Sequence, residues 1–346
     1  MIVISGASGL IGQAVSVLAR RVYSTEFSSG KIHFLVSDSA SAYERSGQQR
    51  LTLQEIPYVV TNLVTGIGLD KLLRSPRLVF HLAANTHTDE VDHRVNDVGT
   101  QILVDALQPL GPDCHFIFAS SVAVSDNRSE PWIPLSEDTP DSDGQANPYT
   151  RSKIRAERWL RESARNLGFR LTIIRFVTVY GKYPRPNSIF DLMQTMVVNG
   201  SLAARLNWPG RTSVVHAEDA AAAMIRVADC PPKPGATQIF IVHSEALTLA
   251  EISKTLHRAL DVPYRQIRLP IWVWGVVAAV LRQKRAFEPW LPLWLYNIIW
   301  RASMLVDNLF WCETNRLALT ISDWRPRKLA DSIRDVLVRD TSAPAE

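Results

Sequence analysis

The chain has 346 residues, 46% hydrophobic and 21% charged, with a formal net charge of +4. That is enough for one large folded domain or two modest ones, and the ordinary composition excludes a disordered or fibrous chain. No lysine/arginine block forms a stripe for nucleic acid, and the three cysteines (Cys114, Cys230 and Cys312) are too scattered for a disulfide framework or a paired metal knuckle.

"IVIS" (2–5) has the length and polarity of a strand buried on both faces, and "LIGQAVSVLAR" (10–20) has helical spacing of apolar residues. Gly6, Gly9 and Gly12 therefore fall on a strand-to-helix turn, where backbone amides free of side chains approach a phosphate at the positive end of a helix. Further strand-like runs follow at 31–37, 58–63, 78–84, 115–121 and 171–176, alternating with helical stretches. The alternation predicts βαβ units and an α/β fold of the Rossmann type, a doubly wound parallel sheet. The polar segment 126–148 predicts a long loop that is functional or mobile. Beyond residue 180, helices are expected over 186–200, 217–229 and 247–260. The expected division is a nucleotide-binding domain over 1–180, its sheet completed by part of 210–245. A smaller, mostly helical substrate-binding portion over 181–346 follows. A strand starting at residue 2 leaves no room for a signal peptide, so the expected location is cytoplasmic.

Seven of the ten tryptophans lie beyond residue 270. Two apolar runs, 270–281 and 289–300, flank the charged "RQKRAFE". Each is shorter than the roughly 20 residues that span a bilayer. They read either as helices walling a pocket or as a peripheral membrane contact through 270–300, with Arg282, Lys284 and Arg285 at headgroup level.

The chemistry concentrates in "NPYTRSK" (147–153). Tyr149 and Lys153, four apart, share one face of a helix. A free phenol titrates near 10, and a neighbouring ammonium stabilises its anion, making it a usable acid/base. Ser121, ending a predicted strand, is placed to hold a substrate oxygen beside the phenol.

Together these motifs resemble the extended short-chain dehydrogenase/reductase family over most of residues 1–330. The resemblance rests on "GASGLIG" (6–12), "HLAA" (81–84), "VNDVGTQILVDA" (95–106), "FASSVAVSD" (118–126), "PYTRSK" (148–153), "IIRFVTVYG" (173–181) and "VVHAEDAAAA" (214–223). It implies an NAD(P)-dependent enzyme acting at a secondary alcohol or ketone carbon. Tyr149 is the acid/base, Lys153 lowers its pKa and holds the nicotinamide ribose, and Ser121 orients the substrate oxygen. Gly6, Ser8, Gly9, Leu10, Ile11 and Gly12 would hold the pyrophosphate. Asn62 and Leu63 would meet the adenine, and Leu82, Ala83 and Ala84 the dinucleotide's middle. Phe176 and Val177 would cradle the nicotinamide. The acid that commonly selects NAD is replaced by Ser37, with Asp38 one place later. Arg45 is placed to meet a 2′-phosphate, so NADP and NAD both stay open. On the substrate side, Thr178 replaces the usual asparagine before "VYG", and Arg211 lies one residue from the usual phosphate-binding arginine.

Three functions remain. One is a nucleotide-sugar epimerase or 4-keto reductase. Another is an NADPH-dependent reductase or dehydrogenase of a hydrophobic ketone or alcohol, resembling hydroxysteroid dehydrogenases. The third is a non-catalytic dinucleotide sensor, disfavoured by the intact Ser121, Tyr149 and Lys153. A homodimer paired through helix 149–166 is expected. His87, Asp89, Asp92 and His93 read as a loop over the cofactor, with no metal. His81 and His216 read as structural, and Cys114 as buried.

Overall fold

The computed structural model describes residues 1–39, 41–72, 75–87, 90–107, 110–125, 133–142, 147–282 and 309–337, with Pro292 and Val306. Its strands are β1 (Ile2–Ser5), β2 (Ile32–Ser37), β3 (Val59–Thr61), β4 (Leu78–His81), β5 (His115–Ser121) and β6 (Arg170–Phe176), then β7 (Thr178–Tyr180), β8 (Arg211–His216), β9 (Thr237–Val242), β10 (Glu245–Thr248) and β11 (Leu309–Phe310). The principal helices are α1 (Leu10–Val22), α2 (Ser24–Ser28), α3 (Ala42–Leu53), α4 (Val98–Ala106) and α5 (Pro148–Leu167), then α6 (Ile189–Val198), α7 (Ala217–Val227), α8 (Leu249–Ala259) and α9 (Ile271–Arg282).

Seven strands form one parallel sheet in the order β3-β2-β1-β4-β5-β6-β9. β1 and β4 lie at its centre and are buried at every position, as continuous apolar runs require. Side chains alternate between two cores. Ile2 and Ile4 face α1 and α7, meeting Val15, Ala19, Ala220 and Met224. Val3 and Val79 face α4 and α5, meeting Leu103, Val104, Ala156 and Leu160. The chain builds outward from β1 in one direction, then returns to add β4 on its other side. The carboxyl ends of β1 and β4 therefore flank a crevice, the place where such sheets take ligands.

Of the segment 210–245, β9 is the part that joins the large sheet. β8 instead anchors a second sheet, pairing in parallel with β7 and β11 and antiparallel with β10. Above it, α6 and α8 share a core of Phe190, Met193, Val197, Leu249, Ile252 and Leu256, closed by Leu329 and Ile333. The small lobe is thus helical with a four-stranded base.

Part of the expected loop 126–148 is stitched down. Leu135 bridges to Cys312, and the buried Glu137 accepts from the Ile241 amide at 3.0 Å and from Thr314 Oγ1 at 2.6 Å. Residues 126–132 and 143–146 lie outside the described residues, as do Asp89, Lys284, Arg285, Trp290, Trp294 and Trp300. Among the described residues no helix is long and apolar enough to cross a membrane.

Candidate active site

A cavity of about 1020 Å³ opens between the carboxyl edge of the large sheet and the small lobe. The β1–α1 turn forms its floor. Gly6 adopts φ +73°, and a Cβ built there meets the Ala83 nitrogen at 2.6 Å. One built at Gly12 falls 1.9 Å from the Gly6 carbonyl oxygen, so neither position admits a side chain. Gly9 caps α1 without any side-chain hydrogen bond, and no acidic residue occupies the first turn. The leading amides of α1 are left to the cavity, lined here by Gly9, Leu10, Ile11 and Gly12. These uncapped, positively polarised N–H groups fit a pyrophosphate.

The reacting end is built by α5 and the end of β5. Asn147 caps α5 by accepting from the Thr150 amide at 2.9 Å, and Pro148 occupies the first turn, which starts the helix one residue before Tyr149. Lys153 follows one turn later, 2% exposed, donating from Nζ to the Ala119 carbonyl at 2.8 Å and lying 4.7 Å from the Phe118 ring centroid. Burial pushes the Lys153 ammonium down to about 7, opposed by the Glu157 carboxylate one turn on. Burial also raises the Tyr149 phenol, against a hydrogen bond with Ser121 and then the positive field of Arg185.

The neighbouring serines have separate roles. Ser120 donates to Glu157 at 2.5 Å within a buried ion cluster. There Arg175 spans Glu157 at 2.8 Å and Asp141 at 2.7 Å, and Arg161 meets Glu157 at 2.5 Å. Both serines line the cavity, but Ser121 is the one that hydrogen-bonds with the Tyr149 phenol.

At the far end, Ser37 Oγ accepts from the Ser39 amide at 3.1 Å, and Asn62 donates to Asp38 at 2.9 Å while accepting from the Val64 and Thr65 amides. Arg45 departs from expectation. It lies on a separate shallow cleft with Gln48, Gln49 and Tyr58, while its neighbour Glu44 enters the large cavity and accepts from Ser8 Oγ at 2.5 Å. Adjacent residues on a helix point about 100° apart, so capping of α3 by Ser41 turns Glu44 inward and Arg45 away. The remaining expected residues (Leu63, Leu82, Ala83, Ala84, Phe176, Val177, Thr178 and Arg211) all line the cavity.

At the substrate end, Thr178 Oγ1 lies 2.8 Å from Thr212 Oγ1, and the Arg211 guanidinium lies 4.5 Å from the Trp311 ring centroid. Sequence reading missed Arg185, carried by the loop 181–188. Tyr183 and Asn187 flank it in left-handed backbone, with φ of 57° and 59°. Arg50 stacks 4.4 Å from the Tyr183 ring centroid, and Arg185 donates to Thr86 Oγ1, so the loop is tied to the nucleotide side of the cleft at two points. Met193, Met196, Leu249 and Phe310 supply an apolar wall that no motif marked.

The histidine-rich loop has other partners. Asp92 pairs with Arg94 at 2.7 Å, and the His93 ring nitrogens meet the carbonyls of Asn85 and Glu90. His81 is fully buried between Ser5 and Thr100, His216 caps α7, and Cys114 is 2% exposed.

The chain is 28% identical over 210 residues to a UDP-glucose 4-epimerase of Vibrio cholerae, covering 58% of this chain and 62% of that one. It is 26% identical over 219 residues to a ceramide reductase of Caulobacter vibrioides, covering 62% and 60%. The match thus spans about three-fifths of the length of either relative. A UDP-glucuronic acid 4-epimerase from Bacillus cereus, crystallised with UDP-glucuronic acid and NAD, shares the fold with a TM-score of 0.71 at 16% identity, over 96% of both chains. The model of the NAD dependent epimerase/dehydratase family matches residues 2–242, and this chain belongs to that family.

Proposed function

We propose that the enzyme transfers hydride at a secondary alcohol or ketone carbon of a nucleotide-linked sugar, as a 4-epimerase or 4-keto reductase. The observation that carries this reading is the shared cavity: Ser121, Tyr149 and Lys153 open on the same space as Thr178, Arg211 and Arg185. Bound dinucleotide supplies the hydride acceptor and donor. Tyr149 takes or returns the proton of the reacting hydroxyl, and Ser121 holds that oxygen against the phenol. Arg185 supplies the positive field that favours phenolate, and Lys153, one turn along α5, is placed to hold the nicotinamide ribose. Arg211 and Arg185 offer two guanidinium groups to a diphosphate. Similarity to the V. cholerae UDP-glucose 4-epimerase supports this substrate class.

The carboxylates of Asp38 and Glu44 both line the adenosine end, and among the described residues that line it no cation stands in the place expected of Arg45. That arrangement favours NAD over NADP.

One observation favours a second reading, a reductase of hydrophobic ketones. The wall formed by Met193, Met196, Leu249 and Phe310 suits an aliphatic substrate, and the C. vibrioides relative is a ceramide reductase. Denaturing the purified protein and identifying the released nucleotide separates the two. Stoichiometric retained NAD, with interconversion of UDP-hexoses, supports the sugar reading. An empty protein that oxidises NADH in the presence of aliphatic ketones and leaves UDP-hexoses unchanged supports the other.

A further inference from the structure

α9 is apolar on every side. No charged or polar side chain occurs from Ile271 to Leu281. Its inner face is firmly held: Trp274 and Ala278 pack against Leu206 and Trp208, the Trp208 and Trp274 rings lie 5.0 Å apart, and Trp274 Nε1 donates to Asn207 at 3.3 Å. Its outer face carries Trp272, Val276 and Val280, spaced one helical turn apart and 68%, 56% and 66% exposed, beside Ile271 at 88%. A stripe of this kind costs free energy in water and marks a surface that something covers.

The flanking charge indicates what covers it. From Lys254 to Arg285 the sequence holds one acidic residue, Asp261, against Lys254, Arg258, Arg265, Arg268, Arg282, Lys284 and Arg285. Lys254, Arg258, Arg265 and Arg268 are exposed. At about 1.5 Å per residue the helix is far too short to span a bilayer, and it suits a position lying in the interface. Tryptophan prefers that depth, and basic side chains reach anionic headgroups from it.

We propose that α9 seats this enzyme on an anionic lipid bilayer, with Trp272, Val276 and Val280 in the headgroup–acyl boundary and the exposed Arg265 and Arg268, which precede the helix, on the headgroups. The orientation has a further consequence. Trp208, which packs on α9, also packs on the small-lobe core that contains Phe190, Met193 and Leu249. Docking therefore sets the substrate lobe, rather than the nucleotide turn, next to the lipid.

The test is co-sedimentation of the full chain with vesicles of phosphatidylcholine alone and of phosphatidylcholine mixed with phosphatidylglycerol. Wild-type protein should sediment with the anionic vesicles and be released by salt. The double variant Trp272→Ser/Val276→Ser should bind roughly tenfold more weakly. Arg268→Gln, which leaves the apolar stripe intact, should shift binding to higher anionic-lipid content. Unchanged dinucleotide binding and thermal midpoint in each variant report that the fold is kept. Wild-type protein remaining in the supernatant, or a double variant that sediments as well as wild type, overturns the proposal. So does concentration-dependent self-association without lipid that the double variant abolishes, which would assign this face to a second copy of the chain.

Discussion

Lys153 is a cation held where water cannot reach it. Its nitrogen has the Ala119 carbonyl and the Phe118 ring for company, and burial brings its titration down from 10.5 to about 7. Between those values the unfolded chain binds a proton that the folded chain lacks, so this residue makes stability rise with pH across that window. Below about 7 both states carry the proton and the cost of burying it is felt in full. Lys153→Met should flatten the slope, as read by urea midpoints at either end of the window. A slope identical to wild type would reject the assignment. Tyr149→Phe keeps the ring and removes the proton carrier. Turnover should fall roughly 10²–10⁴-fold with dinucleotide affinity unchanged, and full activity would overturn the mechanism. At the adenosine end, Glu44→Gln should improve NADP binding about tenfold relative to NAD, because one facing negative charge is removed. Titration with both dinucleotides measures it. Arg45 shows what sequence spacing cannot supply. Glu44 and Arg45 are adjacent, and the phase of α3, which starts at the Ser41 cap, decides which of them faces the cavity.

The turn between β1 and α1 and the helix α5 are the elements on which the site depends. Gly12→Ala would place a methyl on the Gly6 carbonyl, so the turn must shift. Dinucleotide binding should be lost while far-ultraviolet circular dichroism remains that of wild type. Arg175→Met tests the buried cluster beneath α5. It removes the buried cation that bridges Glu157 and Asp141 and leaves Arg161 to serve both, which should cost up to about 3–5 kcal/mol in denaturant unfolding. The six strands read from sequence lie where expected, to within a residue or a few; β1 and β4 are buried at every position and show as apolar runs, whereas β3, at the sheet edge with Val60 exposed, is shorter than its expected run. β7 and β8 were harder to see. They are short, one is embedded in a family-like motif, and β8 runs into the helix that its last residue, His216, caps. Arg185 was invisible for another reason: it sits in a proline-bearing loop with no periodicity, held by contacts to Thr86 and, through Tyr183, to Arg50.

On the scale of the whole molecule, Ser121, Tyr149 and Lys153 reach the cavity from the large sheet and its helix, and the opposite wall comes from a lobe assembled from distant segments. Arg211 contributes from β8, Leu249 from α8 and Phe310 from β11. The exposed surface of α5 carries Arg151, Arg155, Arg158 and Arg165, with Glu162 among them. Two copies paired through that helix would set these guanidinium groups near one another. An expected homodimer should therefore be salt-dependent, which sedimentation at low and high ionic strength would reveal.

β11 and Cys312 lie beside β8 and Leu135, although they come late in the chain. During synthesis, β7 can pair at once with Val214–His216, but Arg211 and Thr212 at the start of β8 wait with that side unpaired until Leu309 and Phe310 emerge. A waiting strand edge is where nascent chains pair wrongly, and a topology of distant contacts is slow to close. Production of this enzyme in the cell should accordingly depend on what shelters that edge while translation finishes. A ribosome stalled before residue 309 should carry a protease-resistant nucleotide sheet and a β8 open to cleavage at Arg211, its unpaired end.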